Sequence, residues 1–131
     1  MNGLKVIKRR NCTSETTQTS GMSRLAGVAR EGAGAERLWM GYVTMGPGAK
    51  SQAHHHGHCE SGIYIIRGHV RFRWGSKLEE VSEAGSGDFI YVPPNLVHQE
   101  INPSNSEPIE MIVARDSAEG VVVHVDLPDA E

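Results

Sequence analysis

The sequence predicts an all-β domain, a small closed barrel or jelly roll, and three observations carry that expectation. Fifteen glycines and six prolines stand between short apolar runs, so the chain turns often. Around Val70, Phe72 and Trp74 the apolar residues alternate with His69, Arg71 and Arg73, the period of a strand with one buried face. No segment shows the period of an amphipathic helix, and closure would remove the edges that about eight short strands otherwise expose. With 131 residues there is room for one core, and hence one principal site.

Residues 1–36 are expected to form a polar N-terminal arm and residues 37–131 the barrel domain. Within the arm, residues 11–20 (NCTSETTQTS) lack periodicity and aromatics, as an extended segment suited to exchange with a second subunit does. Residues 21–36 are rich in Gly and Ala and loosely patterned. Strand-like runs begin at residues 38–45 (LWMGYVTM), which the turn Gly46-Pro47-Gly48 ends. Residues 62–67 (GIYIIR) are β-branched and aromatic and stop at Gly68, after which residues 69–74 lead to a hairpin turn at Gly75-Ser76. Gly85-Ser86-Gly87 breaks the chain before residues 88–92 (DFIYV), closed by Pro93-Pro94-Asn95. The polar loop 102–108 separates this strand from residues 109–113, and residues 121–125 form the last run, where His124 shares a face with Val122.

Composition narrows the function classes. The chain is 38% hydrophobic and 22% charged with a net charge of -3, an ordinary globular balance without the basic excess that nucleic acid or anionic lipid would need. No apolar run approaches the roughly 18 to 20 residues of a membrane span. The basic residues 1–10 have no apolar segment behind them, so no secretory signal is read and the cytoplasm is the default location. Two cysteines, Cys12 and Cys59, are too few for a disulfide scaffold.

Histidine is the outlier: of seven in the chain, four fall between His54 and His58. If that segment is extended, His54 and His56 leave the same face and can reach one ion, and Glu60 follows within reach. His98 lies just beyond the Pro-Pro-Asn turn, where a neighbouring strand can place it opposite the pair. Two or three imidazoles with one carboxylate suit Fe, Mn, Ni, Zn or Cu and leave positions open for water or substrate. His55, His69 and His124 read as structural or solvated residues. Cys59 reads as packing in the turn before it reads as a soft ligand, and Arg67, Arg71 and Arg73 as a wet strand face or dimer contact before an anion site. Trp39 and Met40 are assigned to core or interface.

These residues resemble the two motifs of the cupins, double-stranded β-helix barrels. Gly48, His54, His56, Glu60 and Gly68 are similar to the first motif, and Gly87, Pro93, Asn95, His98 and Asn102 to the second; with the strand pattern the resemblance covers residues 38–125. Two departures stand out. Asn95 occupies a motif glycine position, a mild change because Asn tolerates positive φ. Between Glu60 and Gly68 lie seven residues where the motif has six, so counting back from Gly68 places Ser61 in the ligand register and counting forward from His56 places Glu60 there. A bulge near Ser61-Gly62 reconciles the counts in favour of Glu60; the alternatives are His58 as fourth ligand, or none.

The resemblance implies a mononuclear site with His54, His56, Glu60 and His98 around one divalent transition metal ion per chain. It also implies an enzyme acting on a small oxygen-bearing molecule, of dioxygenase, isomerase, decarboxylase, lyase or cyclase type. Tyr64 and Tyr91 are the candidate hydroxyls for proton transfer or orientation, with Gln99 a further candidate pocket residue. A second reading is a non-catalytic module that senses or sequesters a small ligand or metal, and a third a metal-free sugar epimerase. The expected partners are a small-molecule ligand or substrate and a second copy in a homodimer, with no nucleic acid and no membrane.

Overall fold

The structure, a computed structural model, describes residues 3–15, 21–119 and 121–128. Among the described residues a short 3-10 turn at Arg9–Asn11 precedes eleven strands: β1 (Thr13–Glu15), β2 (Met22–Val28), β3 (Trp39–Met45), β4 (His54–His55), β5 (Ser61–Arg67), β6 (His69–Trp74), β7 (Glu80–Gly85), β8 (Phe89–Val92), β9 (His98–Ile101), β10 (Ile109–Arg115) and β11 (Val123–His124). They form two antiparallel sheets, one in the order β1-β2-β3-β10-β5-β8 and one in the order β11-β4-β9-β6-β7, and together make a jelly roll. No described helix is long and apolar enough to cross a membrane.

Period two governs the packing. Trp39, Gly41, Val43 and Met45 on β3 face inward, as do Ile109, Met111, Val113 and Arg115 on β10 and Ser61, Ile63 and Ile65 on β5. The core between the sheets is built from Trp39, Met45, Ile65, Val70, Ile109 and Met111, and each such side chain removed from water contributes about 1.5 to 3 kcal/mol. Ile63, Ile65 and Val113 therefore hold β5 and β10 side by side, which places Ser61 directly opposite Arg115.

Strand structure starts earlier than the composition suggests. Residues 22–28, expected as loose Gly- and Ala-rich chain, form a full strand paired with β3, and residues 13–15 pair with β2 in turn; residues 16–20 of the arm lie outside the described residues. Alternation is hidden in β2 because Ala26 and Gly27 are small and Arg24 lies on the inward face, paired with Val43. The polar strand β7 is likewise absent from the apolar pattern. It is an edge strand with one buried residue, Ala84, so its sequence carries no period.

Two turns explain their residues. Gly68, between β5 and β6, has φ +96°, and a Cβ there would stand 2.5 Å from the Pro108 carbonyl oxygen, so only glycine fits. Asn95 has φ 61°, so it takes the left-handed conformation of the glycine it stands for. Asn102 is fully buried; its amide donates to the carbonyls of Met45, Gly46 and Glu107 at 3.3, 3.0 and 2.9 Å and its Oδ1 accepts from the Ser104 N–H at 3.1 Å. That side chain ties the end of β9 to the turn after β3 and so closes one end of the barrel.

Candidate metal centre

His54 and His98 are register partners on β4 and β9, and His56 follows His54 by one alternation of the extended chain. All three rings are buried, with centroids 4.3 Å (His54 to His98), 4.9 Å (His54 to His56) and 5.3 Å (His56 to His98) apart, and their ligand atoms lie within 4.8 Å of one another. Each Nδ1 meets a backbone carbonyl: Gln52 for His54 at 2.8 Å, Val121 for His56 at 2.8 Å and Leu96 for His98 at 2.9 Å. A carbonyl only accepts, so each Nδ1 carries the hydrogen, and in the neutral form of such a ring the lone pair is on Nε2. Three oriented imidazoles, each anchored through its other nitrogen, could hold a metal ion.

The surroundings keep the rings of His54 and His56 neutral. Burial, reinforced by the nearby His98, lowers the His54 pKa from 6.5 to about 4. Burial and then the Arg115 guanidinium lower that of His56 to about 3. Those two rings can thus take a cation without losing a proton at neutral pH.

Glu60 does not join the cluster. It is exposed at the start of β5, where its carboxylate accepts from the Tyr91 hydroxyl at 3.0 Å. Ser61 takes the inward register instead, 4% exposed and lining the cavity. The expected bulge at Ser61-Gly62 is absent, because β5 pairs without a break with Val92 to Phe89 from Ser61 to Tyr64. The irregularity falls between Glu110 and Met111 on the partner strand, opposite Ile66, after the inward register has been set. The reserve ligand His58 is exposed as well.

The tyrosines also face away from the trio. Tyr64 is on the outer face of β5 with its ring 4.8 Å from that of Phe89, and Tyr91 is exposed on β8. Tyr91 borders a second hollow of about 490 Å3 that also reaches His98. Gln99 is buried and donates to the Ser51 carbonyl at 2.9 Å, a packing role. Of the remaining histidines, His69 meets the Glu83 carboxylate at 2.9 Å on the surface, and His124, exposed on β11, borders the cavity with its ring 6.4 Å from that of His54.

The trio opens into a cavity of about 360 Å3, within the range of small-molecule sites. Two of its charged wall residues escape a reading of motifs. Glu100 is two residues beyond His98 on the same face of β9, and its charge acts on both His54 and Arg115. Arg115 ends β10, 5% exposed, its guanidinium 4.8 Å from the Trp39 ring, with that of Arg24 5.0 Å from the same ring. Gly41 makes this platform possible, since a Cβ there would stand 2.5 Å from the indole that lies across it. The signal for Arg115 was its alternation with Ile109, Met111 and Val113, which puts it on the core face.

Comparison with known proteins agrees with this architecture. The chain is similar to the polyketide cyclase RemF from Streptomyces resistomycificus at 18% identity and TM-score 0.79, over 97% of this chain and 89% of that one. It is similar to oxalate decarboxylase from Bacillus subtilis at 20% identity and TM-score 0.73, over 89% of this chain but only 31% of that one. A recombinant oxalate oxidase, solved in complex with glycolate, aligns at 18% identity and TM-score 0.70, over 86% of this chain and 59% of that one. No curated protein matches by sequence. A family model described as a cupin domain matches residues 41–115. Because that span runs from within β3 through β10 and takes in all three histidines of the cluster, fold and site lead to one assignment: the chain belongs to the cupin family.

Proposed function

We propose that this cupin is a metal-dependent enzyme that acts on a small oxygen-bearing molecule in the 360 Å3 cavity, with one divalent transition metal ion held by Nε2 of His54, His56 and His98. The observation that carries the reading is the set of Nδ1 to carbonyl hydrogen bonds, which leaves Nε2 as the free donor on three rings whose ligand atoms lie within 4.8 Å of one another. When bound, such an ion supplies Lewis acidity at a substrate oxygen.

The chain's own residues account for the rest of the site. Val43, Met111 and Val113 line the cavity with apolar surface that limits water around the reacting atoms. Glu100 is the carboxylate on the histidine side of the wall, and in this reading its side chain accepts a proton from the substrate.

Elemental analysis of tag-free protein supplied with Fe, Mn, Zn or Ni tests the centre, with about one ion per chain expected. The variant His98→Ala should lose that ion. Oxygen consumption and product formation with catechols, thiols and 1,3-diketones then test turnover. A metal-loaded protein inert to the whole panel would make the chain a binding module, and metal-free wild type would end the reading altogether.

A further inference from the structure

Among the described residues, the buried side-chain nitrogen and oxygen atoms that have no hydrogen-bond partner are Nε of Arg24, Oγ of Ser61, and Nε and Nη1 of Arg115. All three residues line the same cavity as the histidines. A buried guanidinium with unmade hydrogen bonds is costly, and unpaired donors gathered on one wall point to a missing acceptor. No salt bridge engages either arginine among the described residues. Glu15, across from Arg24 on β1, accepts instead from the Trp39 indole N–H at 3.2 Å.

The backbone holds this wall in place. Ser61 and Arg115 are register partners on β5 and β10, and Arg115 pairs with Trp39 on the other side. Trp39 supports both guanidiniums, with their central carbons 4.8 and 5.0 Å from its ring, which fixes their planes. Planar, oriented N–H donors beside a hydroxyl suit the two oxygens of a carboxylate.

We propose that Arg115, with Ser61 and Arg24 beside it, is a carboxylate-binding subsite, and that the molecule this cavity takes is a small organic anion. Its carboxylate rests on this wall, and its other end faces the three histidines. The role given to that other end rests on the metal-centre reading; the carboxylate contact does not. In charge terms, Glu15 and Glu100 on the wall balance the two arginines, so a bound dication leaves the cavity positive and favours an anionic ligand.

The test is calorimetric titration of tag-free protein, first stripped with chelator and then metal-loaded. The probes are acetate, benzoate and 1-naphthoate, each against its neutral amide of nearly the same shape. At least one acid is expected to bind ten times or more tightly than its amide in the metal-free protein, and Arg115→Met to erase that preference without changing metal content. If the methionine variant does not fold, Arg115→Lys keeps the charge but not the fork and should weaken the acid several-fold. The wild-type comparison stands without either variant. The proposal is overturned if no acid is preferred, if Arg115→Met keeps the preference, or if the preference appears only after metal loading, which would assign the carboxylate to the ion. Acid preference in a protein that takes up no metal would support the subsite and end the metal-centre reading alone.

Discussion

The Nδ1 hydrogen of His56 is held by the carbonyl of Val121, 2.8 Å away and far along the chain, so the geometry of the histidine cluster depends on the C-terminal segment. That segment is itself fastened to the site: His124 pairs with His54, and the Val125 N–H donates to the Ala53 carbonyl at 2.8 Å. A chain ending at Ala118 keeps β1 to β10 but leaves His56 free to rotate and to exchange tautomers. Loss of such a partner weakens metal binding by about 10- to 100-fold. Titration of a chelator-stripped truncated protein with Zn should show this drop; an unchanged affinity would mean that the carbonyl does not orient the ring.

The outward position of Glu60 makes a contrasting prediction. Glu60→Gln removes a carboxylate that engages Tyr91, and should leave metal affinity within about twofold, a change well under 1 kcal/mol. His56→Ala and His98→Ala remove donors of the cluster and should each abolish stoichiometric binding. Equal losses in all three variants would return Glu60 to the ligand set.

Much of this was legible in the sequence because period two is written most clearly where one face is buried. Residues 69–74 alternate and became β6, and the apolar, β-branched and aromatic runs 38–45 and 62–67 became β3 and β5. The spacing His54-x-His56 with His98 likewise carried the trio. The fourth position was not legible, because two counts through the same residues disagreed by one, and only the pairing of Ser61 with Val92 and Arg115 shows which residue points inward. In Arg115 a charged residue follows three apolar ones on the same face, and it reads as the end of a strand until the cavity beside it is seen. β2 and β7 were missed for opposite reasons. One hides its buried face in small residues, and the other has almost none.

The lowered pKa values of His54 and His56 give the metal-free protein a definite acid sensitivity. In the unfolded chain both rings bind protons below about 6.5, while in the folded chain they resist until about 4 and about 3. Between these limits the unfolded state holds more protons, so stability is complete above about 6.5 and falls as pH is lowered toward the folded values. At about pH 5 each ring should cost on the order of 2 kcal/mol relative to about pH 7.5. Urea unfolding at the two pH values checks this, with His56→Gln expected to flatten the dependence. A midpoint that does not move with pH would show that the rings are charged, or exposed, in the folded state.

Asn102 and Gly68 allow the closure of the barrel to be tested apart from its chemistry. Asn102→Ala removes an amide that satisfies three carbonyls and an oxygen that receives the Ser104 N–H, all at the buried end of β9. Leaving such buried groups unpaired costs about 1 to 3 kcal/mol, part of it recoverable if water enters. Gly68→Ala meets a harder obstacle, since its Cβ would stand 2.5 Å from the Pro108 oxygen and 3.0 Å from the Ile109 Cα, both backbone atoms that cannot rotate away. With positive φ added, the loss should exceed the roughly 1 kcal/mol of strain alone, and β10 must shift to relieve it. Since β10 carries Arg115, the shift reaches the cavity wall, whereas the histidines reside on the other sheet and on the segment after β4. Gly68→Ala is therefore expected to lower the melting temperature and to leave metal stoichiometry intact. A variant with wild-type melting would mean that the turn after β5 opens without cost.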